Sequence, residues 1–366
     1  MGPVSSSGVR RWNALSGHPN LSWSIVVHAR MASPPDGPTI EGRIARGWPA
    51  TLGPRPSAVE ATDEAAAARL RGEFADGQYR DGDLLVRLAR APGSLVLAAH
   101  HSALDGLGLL ALLGLVLDAP VRSGARGLDD AASGPGGGFL RRAAARLGEA
   151  AFRPPARILP SRSGPADRAA GWGDHLVEDR APALAGGTAA LLAAAALAVD
   201  EWNTRRGRSP GRMIVAVGLS RRPGSEPTLA DQSAYARVTL GGRGMAAARS
   251  ALASARPEPA PPQGSRGVAA AARLARPLAG RLGSTLLVSN LGRIEAPDQV
   301  RSISFWPVAH GRSGVALGAA TVGGTTMLAL RARRTSFDQA AATSLLDAIR
   351  RHLEALSEEG QGPAAG

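Results

Sequence analysis

Apolar positions along the chain fall into short runs whose period changes from segment to segment. Leu21–Met31 alternates well enough to predict a half-buried strand. Ser57–Asp76 is alanine-rich with scattered charges and predicts a helix. Leu84–Ala89 and Ser94–His100 are apolar runs flanking Ala91-Pro92-Gly93-Ser94, which suits a type II turn, so they predict a hairpin that ends on a histidine pair. Leu107–Leu117 has no polar face apart from glycine, which predicts a helix buried all round. Phe139–Phe152 predicts a second helix with arginines on one side.

Arg153–Ala170 is the linker candidate, because its prolines can neither continue a helix nor occupy a central strand. It divides the chain into lobes 1–160 and 161–366. In the second, Gly173–Arg180 predicts a strand and Ala189–Arg206 a helix that Thr188 is placed to cap and Gly207 to stop. Arg212–Leu219 predicts a buried strand, Ala255–Ser265 an exposed Pro-rich loop, Gly267–Gly283 a helix and Thr285–Ser289 a strand. Val315–Thr321 and Thr325–Leu330 predict a hairpin across Gly323-Gly324. The last helix has Ser336 as its expected cap and Gln339 in the capping-box position. Phe337, Ala341, Leu345, Ile349 and Leu353 share one face, and Gly360 ends it. Strands and helices alternate in both halves, so the expected class is α/β, with each sheet covered by helices.

Composition narrows the chemistry. The chain has 366 residues, 44% of them apolar, enough for two domains with sizeable cores. Its net charge of +13 points towards a polyanionic partner. Two features oppose that: the basic residues are all arginine and are scattered, in a chain crowded with Ala, Gly and Pro, and aromatic residues are only 4%. No nucleic-acid partner is expected. Cysteine is absent, which excludes thiol nucleophiles, disulfides and cysteine-held zinc. Lysine is absent too, which excludes Walker-type phosphate loops and Schiff-base chemistry. No Gly-x-Ser-x-Gly elbow occurs. Catalysis by His, carboxylate or Ser remains, with Arg in support.

Met1–Asn13 lacks the apolar stretch of a signal peptide. Ala181–Val199 is uncharged, but it is mostly alanine, carries Pro182 and Gly186-Gly187 and runs into Asp200-Glu201, which predicts a core helix and no membrane span. A soluble, cytoplasmic protein is expected.

The segment VLAAHHSALDGLG places two histidines at the end of a strand, an Asp four residues after the second, and then Gly106. Neighbouring strand side chains point to opposite faces, so one histidine can face the core while the other faces a cleft. Gly106 would permit a tight turn into the buried helix. Three other readings stand beside a catalytic one. Both histidines can be structural, each bonded to backbone. They can be metal ligands, although His18, His28, His175, His310 and His352 show no ligand-like spacing to complete a set. Gly106-x-Gly108-x-x-Ala111 also matches a dinucleotide fingerprint, but polar HHSALD separates it from the strand.

HHSALDG resembles the HHxxxDG signature of the chloramphenicol acetyltransferase-like superfamily. That group includes nonribosomal peptide condensation domains, polyketide-associated acyltransferases, wax ester/diacylglycerol acyltransferases and alcohol acetyltransferases. LLVSNLG (286–292) resembles the second-lobe Ser/Thr-Asn-Leu-Gly segment, and VAVGLSRRP (215–223) the second-lobe strand that ends in Arg. The resemblance covers most of the chain. It implies two lobes of related fold in a V-shaped pseudo-dimer, with a tunnel between them. It implies acyl transfer from a thioester, on coenzyme A or a carrier-protein phosphopantetheine arm, to a hydroxyl or amine, with no bound cofactor and no metal. His101 would be the general base and His100 its structural neighbour. Asp105 would pair with a second-lobe arginine, Arg221 or alternatively Arg222, and Ser289, beside Asn290, would line the tunnel and donate to the oxyanion. A stand-alone monomer in natural-product or lipid biosynthesis is the expectation. A non-catalytic substrate- or carrier-binding protein of the same fold is the alternative. No helix is predicted after the first strand, where Pro34-Pro35-Asp36-Gly37 stands.

Overall fold

A computed structural model describes residues 22–80, 82–125, 139–161, 172–222, 227–258, 283–309, 311 and 313–359. The first-lobe elements are β1 (Ser24–Met31), α1 (Gly37–Gly47), β2 (Ala58–Glu60), α2 (Glu64–Asp76), β3 (Val86–Ala91), β4 (Ser94–His100), α3 (Gly106–Leu117), β5 (Arg122–Ser123) and α4 (Phe139–Phe152). Then follow β6 (Asp174–Pro182), α5 (Gly187–Thr204), β7 (Met213–Ser220), β8 (Ser233–Leu240), α6 (Met245–Ala253) and β9 (Leu286–Glu295). The chain closes with β10 (Val300–Trp306), β11 (Val315–Val322), β12 (Thr325–Arg333) and α7 (Gln339–Glu359).

Two sheets organise these elements. The first is five-stranded, in the order β10-β1-β4-β3-β2. The second runs β6-β12-β11-β9-β7-β8, with β5 paired to the far end of β9. Residues 300–306 fall in the second of the expected lobes, yet they pair antiparallel with β1 in the first sheet. Each expected lobe therefore lends a strand to the other's sheet, β10 to the first and β5 to the second. Helix α3 carries an almost unbroken apolar surface and packs with α1 against one face of the first sheet. Helix α2 covers the other face through Ala67, Phe74 and Ala75. Helices α5 and α7 cover the second sheet; of the run Ala181–Val199 expected to be a core helix, Ala181 and Pro182 end β6 and the buried helix begins at Gly187. Among the described residues no helix is long and apolar enough to cross a membrane.

Local signals explain where the elements differ from expectation. Asp36 accepts the Thr39 amide at 2.8 Å and a proline occupies the first turn, so Pro34–Gly37 starts α1 instead of preventing it. Asp63 accepts the Ala66 amide at 2.7 Å, which begins α2 at Glu64; the residues before it form β2, parallel to β3. The β3–β4 turn is not type II, because Gly93 lacks the positive φ that type requires. Helix α5 begins without a side-chain cap, and Thr188 instead accepts from Asn290. Helix α7 is capped by Asp338, which accepts the Ala341 amide at 2.7 Å, so Ser336 lies outside it. Gly323 and Gly324 both have positive φ, as the expected two-residue β11–β12 turn needs. Strand β9 runs past Ser289 to Glu295. The expected helix 267–283 lies almost wholly outside the described residues, as do most of the 255–265 loop, residues 162–170 of the linker, residues 1–21, and His18 and His310.

Buried polar clusters join the two sheets. Glu178 on β6 accepts from Arg30 of β1, Arg71 of α2 and Ser304 of β10. Burial alone would raise its carboxyl, but the Arg30 hydrogen bonds, the Arg71 charge and the Ser304 hydroxyl overcome that and hold it at about 2. Arg71 also donates to His28 Nδ1 at 3.0 Å and stacks over Trp306. Burial, with Arg71 and Arg30 nearby, lowers His28 to about 3, so it is neutral. On the same flank the wholly buried Arg331 of β12 donates to Asp174 at 2.6 Å and to the carbonyls of Ser24 and Ala75 at 2.5 and 2.8 Å.

Both His28 and Glu178 have folded-state values below their unfolded ones, so each stabilises the protein above its unfolded value and loses that contribution as pH falls. The expected loss runs from about pH 6.5 to 3 for His28 and from about 4.5 to 2 for Glu178. Denaturant melts at stepped pH should show stability declining across both windows. Glu178→Gln should abolish the lower component and cost ~2–3 kcal/mol at pH 7, since the largely buried Arg71 and the partly exposed Arg30 both lose their anion.

Candidate active site

The site begins where β4 ends. Strand β4 pairs with β1 up to Ser24↔His100, and the His101 amide continues the ladder by donating to the Trp23 carbonyl at 2.9 Å. Alternation then sends the two rings to opposite sides. The His100 ring turns inward. It lies edge-on to Tyr79, with centroids 5.1 Å apart, and its Nδ1 accepts the Ser102 amide at 3.2 Å. Burial, reinforced by the neighbouring His101, lowers it to about 4. His100 is thus a neutral, buried ring. The His101 side chain stays 23% exposed, with its Nδ1 3.9 Å from Asp231 Oδ1.

Asp105 anchors the loop. It is 4% exposed and is the N-cap of α3, where Oδ1 accepts the Gly108 amide at 2.7 Å. Its carboxylate meets Arg222 Nη1, which lies 2.9 and 3.0 Å from the two oxygens, and Oδ2 also accepts the Gln232 amide at 2.9 Å. Arg222, 5% exposed, spends its remaining donors on the Thr228 hydroxyl and on the Thr228 and Ala230 carbonyls. The partner is therefore Arg222. Arg221, the first choice from sequence, is exposed: it points away from the seam because it alternates with its neighbour at the end of β7.

Gly106 does not have positive φ, so its freedom is not what the turn uses. A Cβ there would come within 2.8 Å of Leu291 and 2.9 Å of Phe305, so glycine admits β9 and β10 against the start of α3. Gly108 likewise admits the Ala230 carbonyl, which would lie 2.9 Å from a Cβ. These close approaches explain the glycine spacing that also fits a dinucleotide fingerprint.

Ser289 lies on β9 between Gly218 of β7 and Gly318 of β11. A Cβ on Gly318 would overlap the Phe305 carbonyl of β10, and Leu291, two residues beyond Ser289, reaches Gly106. Both contacts place the Ser289 face of the second sheet towards the first lobe. Asn290 points to the opposite face. It donates to Thr188 at 3.3 Å and accepts the Gly292 amide at 2.8 Å, holding the irregularity where β9 changes register. Cavities of about 150 Å³ beside Pro154–Arg157 and about 290 Å³ beside Pro120 and Arg122 are lined by neither His101 nor Ser289. Among the described residues, no group of three or more His, Asp or Glu is placed to hold a metal ion.

Sequence reasoning missed Asp231, Gln232 and the 228–230 carbonyl and hydroxyl partners. The alternating SAYARVTL after Asp231 was the available signal for β8, and hence for an acid at its entrance.

No family model matches the chain, and no curated protein does. Solved structures do. The first condensation domain of the calcium-dependent antibiotic synthetase, with a substrate analogue, is 15% identical over 100% of this chain and 97% of that one, with a TM-score of 0.65. The epimerization domain from the third module of tyrocidine synthetase B is 13% identical over 93% and 94%, at 0.56. The SgcC5 protein from Streptomyces globisporus is 14% identical over 96% and 99%, at 0.55. The chain has the chloramphenicol acetyltransferase-like fold that condensation domains share.

The Arg222 assignment yields a paired test. Arg222→Ala should lower the unfolding free energy by ~3–5 kcal/mol, because it strands a buried carboxylate. Arg221→Ala should stay within about 0.5 kcal/mol of the parent. Denaturant unfolding of both variants reads the difference.

Proposed function

We propose that this chain transfers an acyl group from a thioester to an amine or hydroxyl, with His101 as general base. The observation that supports the reading is that the His101 side chain remains 23% exposed at the junction of the two lobes, while the neighbouring His100, Asp105 and Arg222 are buried. A loop anchored that firmly presents one imidazole to whatever enters the junction.

In the proposed step, the acceptor's nitrogen or oxygen attacks the thioester carbonyl as His101 takes its proton. The tetrahedral intermediate then collapses, the carbon–sulfur bond breaks, and the thiolate leaves with that proton. An imidazole suits both transfers because its ordinary pKa of about 6.5 lies near neutral pH. The chemistry needs no covalent enzyme intermediate, in keeping with a chain without cysteine. The Ser289 hydroxyl is the proposed oxyanion donor, supported by its place on the face of the second sheet turned to the first lobe. A passage between the lobes past His101 belongs to this proposal, as does a donor carried on coenzyme A or on a phosphopantetheine arm.

The test is purified protein mixed with acyl-coenzyme A or acyl-carrier protein and a panel of amines and alcohols, with product followed by mass spectrometry. His101→Ala should lower the rate ~10²–10⁴-fold while leaving the denaturation midpoint unchanged. Equal turnover by parent and variant would overturn His101 as the base, and no turnover by the parent with any donor would overturn the reading in favour of a binding protein.

A further inference from the structure

Asp231 stands just before β8, and the backbone around it is fixed from several sides. The Gln232 amide donates to Asp105 at 2.9 Å and the Gln232 carbonyl accepts the Arg221 amide at 2.8 Å. The Ala230 carbonyl accepts from Arg222, and Ser220↔Ser233 opens the β7–β8 ladder. The carboxylate is oriented too: Oδ1 accepts the Ser233 amide at 3.0 Å and the Ser233 hydroxyl at 2.6 Å. Among the described residues no guanidinium pairs with it. That same Oδ1 lies 3.9 Å from His101 Nδ1. The separation exceeds a hydrogen bond, so the interaction in this geometry is Coulombic; a side-chain movement of about 1 Å would convert it to a hydrogen bond.

We propose that Asp231 is a positioning residue for His101: its carboxylate favours the tautomer with the proton on Nδ1, leaves Nε2 as the basic nitrogen, and stabilises the imidazolium formed when Nε2 takes the acceptor's proton. The inference rests on the general-base reading above and extends it across the lobes, since the base comes from the first and the carboxylate from the second. The proton balance is simple. Nε2 gains the acceptor's proton and returns it to the leaving sulfur, while Nδ1 keeps its own and Asp231 stays ionised.

The other charged or titratable groups on the elements packed around this turn do not replace it. His100 is neutral at pH 7 and its ring is turned into the core. Asp105 and Arg222 largely cancel one another. Among the described residues, Asp231 is the carboxylate that stands 3.9 Å from the imidazole.

The experiment uses full-length protein labelled with ¹⁵N-histidine, with the His101 signals assigned by their loss in His101→Gln. Ring shifts are followed from pH 4 to 9 in the parent, in Asp231→Asn, and in Asp231→Ser, which keeps an oxygen for the Ser233 amide. A carboxylate facing Nδ1 favours the proton there, so removing it should shift the neutral ring towards the Nε2–H tautomer, read in the ¹⁵N shifts. With a turned-over substrate, kcat at pH 8 should fall about tenfold, because less of the ring presents an unprotonated Nε2. A merely structural loss would lower kcat without changing the tautomer. An unchanged tautomer in the folded variant overturns the inference even if transfer activity is found. A changed tautomer in a protein with no transferase activity would sustain the Asp231–His101 coupling and overturn the general-base reading instead.

Discussion

The Asp105–Arg222 pair is the constraint on which the site depends. A carboxylate taken out of water must recover its hydration elsewhere. Asp105 does so with the amide of its own helix, with the guanidinium of the second lobe and with the Gln232 amide. Arg222 is satisfied in the same way. Neither residue can be displaced without stranding the other, so the start of α3 is fastened to Arg222 and, through it and the Gln232 amide, to residues 228–232. Buried ion pairs of this kind contribute little net stability compared with a well-packed apolar substitute. Their consequence here is registry: they determine which residues of one lobe stand opposite which residues of the other. The Glu178 and Arg331 clusters do the same on another flank.

Registry matters because the proposed chemistry is divided between lobes. His101 hangs from the end of a first-lobe strand, while Asp231 and Ser289 belong to strands of the second sheet or their approaches. A shift of one residue in β8 would turn the Asp231 side chain to the other face. The Gln232 amide on Asp105 opposes that shift. Asp105 therefore acts on the neighbourhood of His101 through backbone geometry, and none of its hydrogen bonds goes to the imidazole.

How much of this was legible depends on whether the information was local. The buried α3, the β11–β12 hairpin and the histidine pair at a strand end follow from period and turn chemistry within a dozen residues, and the structure has them. Helix α1 was also locally encoded, but Pro34-Pro35 drew attention from the Asp36 cap and from Ile40 and Ile44, one turn apart on the buried face. The placement of β10 beside β1 was not readable, because a short apolar strand has no mark that says which sheet it joins. Arg222 rather than Arg221 likewise depends on the phase of β7 at its last residue, which one register step reverses.

The charge of the chain is a related case. A net +13 carried only by arginine invites the expectation of a polyanion on the surface. Several of these arginines work inside instead. Arg331 is fully buried and serves one carboxylate and two carbonyls, and Arg222 serves a carboxylate, a hydroxyl and two carbonyls. A guanidinium offers five donors in a rigid fork, and a lysine ammonium only three on a flexible stem. With no lysine to divide the work, the same residue type that raises the pI also fastens the lobes together. Arg331 and Arg222 are each paired with a carboxylate, so they leave the net charge as it is while adding nothing to the basic surface.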